Sequence, residues 1–403
     1  MTEALARSFD INRLPPEFLD DPFPTYHALR NHDPVHQSPD GSYFLTRYDD
    51  VIGVYKDFRA WSSDKKVEFK PKFGNSPLYE HHTTSLVFRD PPDHTRIRRL
   101  FGPAFTPRAL GLLQPRVERI VDGFIDQAAK DGGMDVIADY AFALPVELIG
   151  DMLGVPRPDR WRLRDWSLAI LGALEPVPTA ARLEAGNRSV DEFKAYLRDL
   201  IADRRRNPGD GSDGEILSAL IAGEDDDAMT EIDLLHQCIF LLNAGHETTT
   251  NLIGNGVHEL LLQPDQLAAL RADPDLIETC VEECLRYQSP NQLGNRRALV
   301  DCNVGGVDMP AGTLVTMGIG GANRDPAQFP DPDAFDIARS PNRHLAFGMG
   351  IHICAGNSLA RMEGTVAIAR LFARFGHTEI TGPVVRGGRA RFRGLASLPI
   401  AVA

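Results

Sequence analysis

The most constraining feature of this sequence is residues 230–263, a long helical stretch near the middle of the chain. Thr230 and Asp233, three positions apart, form an approximate capping box at its start, and Pro264 marks its end. Residues 238–253 within it are apolar on most faces. A helix that is hydrophobic nearly all round is stable only when it is buried. The stretch therefore predicts a central helix enclosed by the rest of the fold.

The remainder of the chain is suited to enclosing such a helix. Of its 403 residues, 43% are hydrophobic, and most of residues 104–287 have a helical pattern. Short β-type runs occur at residues 42–46, 296–304 and 313–317 and near the C-terminus, while glycine-rich polar breaks at residues 207–214 and 223–227 indicate surface loops. Length alone would allow two or three domains. Because no linker is evident, we predict one domain over residues 1–403, mainly α with a minor β region.

Charge and cysteine content narrow the functional classes. The net charge of −13 gives no support for nucleic-acid binding, which needs a basic face. The beginning of the chain lacks the apolar core of a signal peptide, and no membrane anchor is evident. Five sparse cysteines argue against a disulfide framework and for a reducing compartment. We therefore expect a soluble cytoplasmic protein that does not bind membranes.

One cysteine lies in an unusual local setting. The segment FGMGIHICAG occupies residues 347–356, and a long helical pattern follows it, so Cys354 lies just before a helix N-terminus. Unpaired backbone N–H groups and the helix dipole stabilise an anion there, which predicts a lowered thiol pKa and a metal ligand. Gly348, Gly350 and Gly356 would let the backbone turn tightly and approach a flat partner. The alternative is a buried structural cysteine in a glycine-rich turn.

The predicted central helix contains a second irregular segment, NAGHETTT, at residues 243–250. Glycine and threonine are poor helix formers, and a buried carboxylate is costly without a partner. His246 and Glu247 begin a zinc-protease HExxH pattern, but its last position is Thr250, which excludes that site. A hydroxyl beside a carboxylate can instead deliver protons. The alternative is a threonine patch that packs helices together.

Both segments resemble those of the cytochrome P450 family. Residues 347–356 match its heme-binding loop, FGxGxHxCxG, at every defined position. The resemblance implies that Cys354 is the axial thiolate ligand of heme b (iron protoporphyrin IX). It also implies that Phe347 packs beside the sulfur and that His352 contacts a heme propionate. A thiolate axial ligand favours O–O bond cleavage.

The central segment resembles the family's oxygen-binding groove, AGxET, through Ala244, Gly245, Glu247 and Thr248. The resemblance implies that Ala244 and Gly245 lie beside the heme and that Gly245 lets the helix open locally next to bound dioxygen. It implies that Thr248 hydrogen-bonds the oxygen, and that Glu247 relays protons together with water.

Further basic residues are implied to hold the heme propionates. Residues 90–99, DPPDHTRIRR, resemble the family's DPPxHxxxR segment, which assigns His94 and Arg98 to this role. Arg296 occupies the position of another propionate-binding arginine, with its neighbour Arg297 as the alternative.

The family's ExxR motif is matched by Glu283 and Arg286. The resemblance adds Arg339 as the third member of a buried network. We expect these three residues to have a structural role.

The resemblance implies the cytochrome P450 fold, with heme between the central helix and the cysteine-loop helix. It implies a monooxygenase that inserts one oxygen atom from O2 into a small organic substrate, by hydroxylation or O-demethylation. The alternatives are a heme-thiolate peroxygenase or isomerase and a non-catalytic heme sensor. No dinucleotide or flavin fingerprint follows the heme region, so we expect separate electron donors, a ferredoxin and its NAD(P)H-dependent reductase. Such a ferredoxin would dock near Arg98, Arg99 and Arg361, on a protein that we expect to be a monomer.

The sequence indicates less about the identity of the substrate than about the cofactor. One hypothesis is that a lysine between residues 61 and 87 meets an anionic group, but a solvated loop is the more common explanation of such lysines. The lysines concerned are Lys65, Lys66, Lys70 and Lys72. Asn243, Asn291 and Gln292 could hydrogen-bond a polar group of the substrate.

Overall fold

The protein is mainly helical, as the sequence predicts. The computed structural model describes residues 2–207, 216–225 and 229–403, so residues 208–214 of the first predicted loop and 226–227 of the second lie outside the described residues. The loop predicted at 223–227 is wrong for residues 223–225, which are helical. The α-helices are α1 (Thr2–Ser8), α2 (Pro16–Asp20), α3 (Phe23–His32), α4 (Tyr48–Lys56), α5 (Lys66–Phe73), α6 (Pro77–Thr84), α7 (Asp93–Phe101), α8 (Pro107–Asp131), α9 (Ala143–Met152), α10 (Trp161–Gly172), α11 (Ala180–Arg206), α12 (Ile216–Asp225), α13 (Glu231–Leu262), α14 (Pro264–Ala272), α15 (Ile277–Tyr287), α16 (Ile319–Ala322) and α17 (Asn357–Arg374).

The β portion consists of short strands. They are β1 (Val35–Gln37), β2 (Tyr43–Leu45), β3 (Trp61–Ser62), β4 (Gly133–Asp135), β5 (Leu293–Ala298), β6 (Cys302–Val304), β7 (Val307–Met309), β8 (Leu314–Gly318), β9 (Thr378–Ile380), β10 (Val385–Arg386), β11 (Leu395–Ser397) and β12 (Pro399–Val402). One sheet has the order β1-β2-β8-β5-β3, in which β2 and β8 are parallel. Strands β4, β12 and β9 form a second sheet, and β6–β7 and β10–β11 pair as ribbons.

Helix α13 is the predicted central helix. Thr230 and Asp233 form the expected capping box, in which each side chain accepts from the backbone N–H of the other residue. The helix packs against α6, α9, α10, α11, α15 and α17, and Leu234, Ile239 and Val257 are fully buried. Pro264 not only follows this helix but begins α14, where its missing N–H costs nothing.

The cysteine loop lies directly before α17, which packs against α8, α13 and α15. Gly348 and Gly350 adopt φ values of +66° and +73°, in the left-handed region that favours glycine. A β-carbon on Gly350 would also collide with the backbone carbonyl oxygen of Tyr55. Gly356, by contrast, has an ordinary φ of −90°.

A buried ion network supports the polypeptide before this loop. Arg286 donates to both carboxylate oxygens of Glu283 at 2.7 Å, and both side chains are fully buried. Arg339 lies 3.2 Å from the same carboxylate, and Arg286 also donates to the carbonyl oxygens of residues 323, 332 and 334. The three-membered network implied by the ExxR motif is therefore present.

The C-terminal segment connects the start of the chain to the interior. Arg393 is buried and donates to the carbonyl oxygens of Leu19 and Asp20 at 3.0 and 2.7 Å. Its neighbour Phe392 forms an isolated β-bridge with Asn291. Residues from both ends of the chain thus meet beside β5.

Candidate active site

A cavity of about 340 Å³ lies between α13 and the cysteine loop. Its wall includes Ala244, Gly245 and Thr248 on one side and Cys354 on the other. Other parts of the wall come from α5 to α7, from α9, α10, α15 and α17, from β5 and from the segment that contains Phe392. Two segments that are distant in sequence therefore meet at one cavity, as the resemblance implies.

Cys354 is held in place by its loop. Its backbone N–H donates to the carbonyl oxygen of Phe347 at 2.9 Å, and the ring of Phe347 stacks beneath the guanidinium of Arg361. Burial raises the pKa of the Cys354 thiol, while the backbone N–H of Gly356 and the charges of Arg98 and Arg361 oppose that rise. The expected lowering of the thiol pKa is therefore wrong for the polypeptide alone, because desolvation outweighs the helix terminus.

Basic and imidazole groups collect at one edge of the cavity. His94, Arg98, Arg296 and His352 all line it, and the rings of His94 and His352 lie 4.1 Å apart. Burial, together with the neighbouring arginines, lowers the pKa of His94 to about 4 and that of His352 to about 2. Within the described parts of the chain, the Nε2 atoms of both histidines are buried and have no hydrogen-bond partner.

This cluster fits a bound dianion. Cations and donors crowded in a buried place destabilise one another unless an anionic group compensates them. Arg98 and Arg296 each have one protein acceptor, the carbonyl oxygens of Ile353 and Asn295, so further donor capacity remains. Two carboxylates, such as the propionates of heme, would satisfy these groups. The residues present therefore fit the cofactor that the cysteine loop implies.

The choice between Arg296 and Arg297 follows from strand geometry. Both belong to β5, where successive side chains point to opposite faces. Arg296 lines the cavity and lies 5.2 Å from the ring centroid of Tyr55, whereas Arg297 is not part of the wall. Arg296 is thus the arginine that faces the candidate heme site.

On α13, Thr248 faces the cavity and donates its hydroxyl hydrogen to the carbonyl oxygen of Ala244 at 2.9 Å. Helix α13 continues from Glu231 to Leu262 in this structure, and the local opening at Gly245 beside bound dioxygen stays a prediction. The glycine also allows close packing, since a β-carbon there would lie 2.8 Å from Cδ1 of Ile149 on α9.

Glu247 turns away from the cavity and is not part of its wall. One carboxylate oxygen accepts from Arg389, which also donates to the carbonyl oxygen of Leu168. The other oxygen has no partner in the described ranges of the chain. Burial raises the pKa of Glu247 to about 7, although Arg389 opposes the shift. Sequence reasoning missed Arg389 because no motif marks it and the pair is separated by 142 positions.

The four candidate lysines have separate surroundings. Lys65 alone among them lines the cavity, and it is paired with Glu68 at 2.8 Å. Lys66 pairs with Asp64, Lys70 donates to Asn75, and Lys72 donates to the carbonyl oxygen of Glu175. The arrangement gives no support for an anion at these lysines.

Among the amides, Asn243 and Asn291 line the cavity, whereas Gln292 is buried behind it and donates to the carbonyl oxygen of Ser289 at 2.8 Å. The wall also contains residues that sequence reasoning missed. They are His81, His82, Glu363 and Arg391. None lies in a recognisable motif, so only their spatial position reveals them.

The comparisons with known proteins agree with this geometry. A sequence model of the family described as Cytochrome P450 matches residues 173–384. The biotin biosynthesis cytochrome P450 of Bacillus subtilis is 39% identical over 361 residues, which cover 89% of this chain and 90% of that protein. The vitamin D(3) 25-hydroxylase of Pseudonocardia autotrophica is 41% identical over 88% of this chain and 87% of its own.

A solved structure shares the architecture. The crystal structure of P450BioI in complex with an acyl carrier protein ligated to hexadec-9Z-enoic acid superposes with a TM-score of 0.90. The identity is 37%, with coverage of 96% of this chain and 100% of that one. Across the parts of the chain that the structure describes, no helix combines the length and hydropathy that crossing a bilayer requires. From its motifs, cavity and relatives, this chain belongs to the cytochrome P450 family and is a heme-dependent monooxygenase.

Proposed function

We propose that this protein hydroxylates or O-demethylates a small, largely apolar molecule at the cavity between α13 and the cysteine loop. The observation that supports this proposal is the position of three groups of residues around one cavity. Cys354, the basic cluster and Thr248 surround a single cavity from three directions. In this arrangement a flat dianionic cofactor would lie between the sulfur and the hydroxyl.

The residues have distinct roles in this proposal. Heme, when bound, supplies the iron centre that activates O2 for oxygen insertion. Cys354 would hold the iron through its sulfur, with Phe347 packed beside it. His94, Arg98, Arg296 and His352 would bind the two propionates through charge-assisted hydrogen bonds.

Two side chains of α13, Thr248 and Glu247, would deliver protons to the cavity. The Thr248 hydroxyl faces the cavity, and Glu247 lies one residue before it with a pKa of about 7. A group with a pKa near the working pH exchanges protons efficiently in both directions. We infer that Glu247 leaves Arg389 to pass protons, through water, toward Thr248. Ala244 and Gly245 then keep the helix surface flat beside the cofactor.

Electrons come from a redox partner, which we propose is a ferredoxin served by an NAD(P)H-dependent reductase. Arg99 is exposed on α7, and Arg98 beside it donates to Ile353 in the cysteine loop. Arg361 contributes less free charge than expected, since Glu282 accepts from it at 2.6 and 2.9 Å. We propose a cytoplasmic monomer in which residues 1–403 act as one domain.

Carbon-monoxide difference spectroscopy tests the proposed ligation. The reduced wild-type protein with carbon monoxide should show the red-shifted Soret band of thiolate-bound iron. Cys354→Ser should lose that band, while Cys302→Ser, which changes a thiol on β6 outside the cavity wall, should keep it. A red-shifted band that survives Cys354→Ser would refute the assignment of the ligand.

A further inference from the structure

A chain of hydrogen bonds leads from the surface to the cavity wall between α6 and α13. Glu80, whose side chain is 43% exposed, accepts from Lys194 and lies 2.7 Å from Nε2 of His236. Nδ1 of His236 lies 3.3 Å from Nδ1 of His81. Nε2 of His81 lies 3.2 Å from Nδ2 of Asn243, which lines the cavity. The proton-delivery scheme above uses none of these groups.

The two histidines in this series of hydrogen bonds, His81 and His236, are neutral. His236 is fully buried and His81 is 2% exposed, and burial is the main cause that lowers the pKa of each. Glu80 is ionised, because the hydrogen bonds from Lys194 and His236 outweigh partial burial and hold its pKa below the ordinary value. A neutral imidazole has one donor nitrogen and one acceptor nitrogen, and an ionised carboxylate only accepts.

These protonation states determine which atom donates and which accepts in each hydrogen bond from Glu80 to Asn243. His236 donates from Nε2 to Glu80, so its Nδ1 must accept, and the proton between the rings belongs to Nδ1 of His81. Nε2 of His81 must then accept, and only the amide nitrogen of Asn243 can donate to it. Turning the amide over would set two acceptors against each other. The carboxylate at the surface therefore determines how an amide in the cavity wall is oriented.

The chain ends in an unused acceptor. Asn243 is 4% exposed, and its Oδ1 is buried without a hydrogen-bond partner among the residues that the structure describes. An unpaired buried polar atom carries a desolvation cost that a matching ligand group removes. Around it the wall is mostly apolar and aromatic, and includes Leu86, Phe88 and Phe240.

We propose that Asn243 is a specificity-determining residue that accepts a hydrogen bond from a neutral hydroxyl or N–H group of the substrate. The substrate is then a largely apolar alcohol, amide or amine in its neutral form. A ketone, ether or carboxylate at the same point would bring lone pairs against Oδ1 and bind less well. The proposal rests on the proposed function only in placing the substrate in this cavity.

Matched ligands test the donor requirement. Calorimetric titration of the heme-loaded protein would compare dodecanol with dodecyl methyl ether, menthol with menthyl methyl ether, and cholesterol with cholesteryl methyl ether. Each alcohol that binds should bind about threefold to tenfold more tightly than its ether, the effect of one neutral hydrogen bond. Asn243→Leu should bring that ratio to near one, whereas Asn291→Leu, which removes an amide elsewhere in the wall, should keep it. Equal affinities, no binding by any alcohol, or a preference that survives Asn243→Leu would overturn the proposal.

The direction of these hydrogen bonds can be tested separately, without a substitution in the cavity. Nuclear magnetic resonance of the ¹⁵N-histidine-labelled, carbon-monoxide-bound ferrous protein reports which ring nitrogen carries each proton. His81 should be protonated at Nδ1 and His236 at Nε2. Glu80→Ala should disturb both tautomers, and Glu184→Ala, at an exposed carboxylate on α11, should disturb neither. Protonation of His81 at Nε2 would reverse the chain and overturn the inference.

The proposed function and the role of Asn243 can be contradicted independently of each other. Loss of the red-shifted carbon-monoxide band in the wild type would contradict the proposed function. A normal band together with equal binding of alcohols and ethers would contradict only the role of Asn243.

Discussion

At the scale of single residues, the proton-handling pair is divided between two faces of α13. Thr248 faces the cavity, whereas Glu247 is buried on the other side with Arg389. Neighbouring residues on a helix point about 100° apart, so this division follows from helical geometry. The carboxylate can reach the cavity only after its bond to Arg389 breaks.

The first prediction concerns the hydroxyl. Thr248→Ala should leave substrate binding nearly unchanged but lower the product formed per NAD(P)H consumed by roughly tenfold, since a positioned proton donor contributes at least that much. Thr248→Ser keeps the hydroxyl and should recover most of the yield. Product and NAD(P)H are measured in the same reaction. Full coupling in Thr248→Ala would contradict the role of this residue.

The second prediction concerns the pH dependence set by Arg389. Burial raises the pKa of Glu247 to about 7, so the carboxyl is protonated below that pH and is held by Arg389 above it. Turnover limited by this group should therefore fall as the pH rises through about 7. Arg389→Gln removes the charge that opposes the shift, so the fall should move to higher pH. Arg389→Lys should stay close to the wild type in a kcat–pH profile, and identical profiles for all three proteins would argue against this coupling.

At the scale of elements, the parts that were predictable from sequence are those with a local cause. Helix α13 follows from its own caps and apolar pattern, and the cysteine loop from its glycines. The strands β3 and β10 have two residues each and exist only because a distant partner pairs with them. The partnership of Glu247 with Arg389 and the path from Glu80 to Asn243 likewise depend on contacts across the fold, which no local pattern reports.

The third prediction concerns α17. Glu363 is buried in this helix with one oxygen unpaired, and burial raises its pKa from 4.5 to about 8. The folded protein thus keeps a proton that the unfolded chain releases, so the contribution of Glu363 to stability should fall as the pH rises from about 4.5 to about 8. The slope is at most about 1.4 kcal/mol per pH unit.

Glu363→Gln should remove this slope and stabilise the heme-loaded protein at the alkaline end. The exposed carboxylate Glu379 offers a matched control, since Glu379→Gln should leave the slope unchanged. Urea unfolding at several pH values measures both variants. Equal slopes in the wild type and in Glu363→Gln would show that Glu363 has a partner in the folded protein.

At the scale of the whole molecule, a net charge of −13 would repel an acidic partner at most points on the surface. Arg98 and Arg99 form a local exception beside the cysteine loop. Electrostatic steering of this kind weakens with salt, because the screening length is about 10 Å at ordinary ionic strength.

The fourth prediction follows from that exception. Arg99→Glu should slow reduction by an acidic ferredoxin on the order of tenfold without changing the carbon-monoxide spectrum. Arg188→Glu, which changes an arginine of similar exposure on α11, should have little effect. Stopped-flow reduction at low and high salt measures both variants. A rate that is independent of salt and of Arg99 would place the docking surface elsewhere.

The hydrogen bonds from Arg393 to the carbonyl oxygens of Leu19 and Asp20 tie the segment beside the cavity to the start of the chain. Phe392, next to Arg393, lines the cavity and bridges to Asn291. Trimming the start of the chain would leave the buried guanidinium of Arg393 with the side chain of Gln288 but without its two carbonyl acceptors, and would loosen the segment that carries this ring. Shortened versions made for crystallisation or expression would then differ from the intact protein in which molecules they oxidise, even though every motif residue is retained.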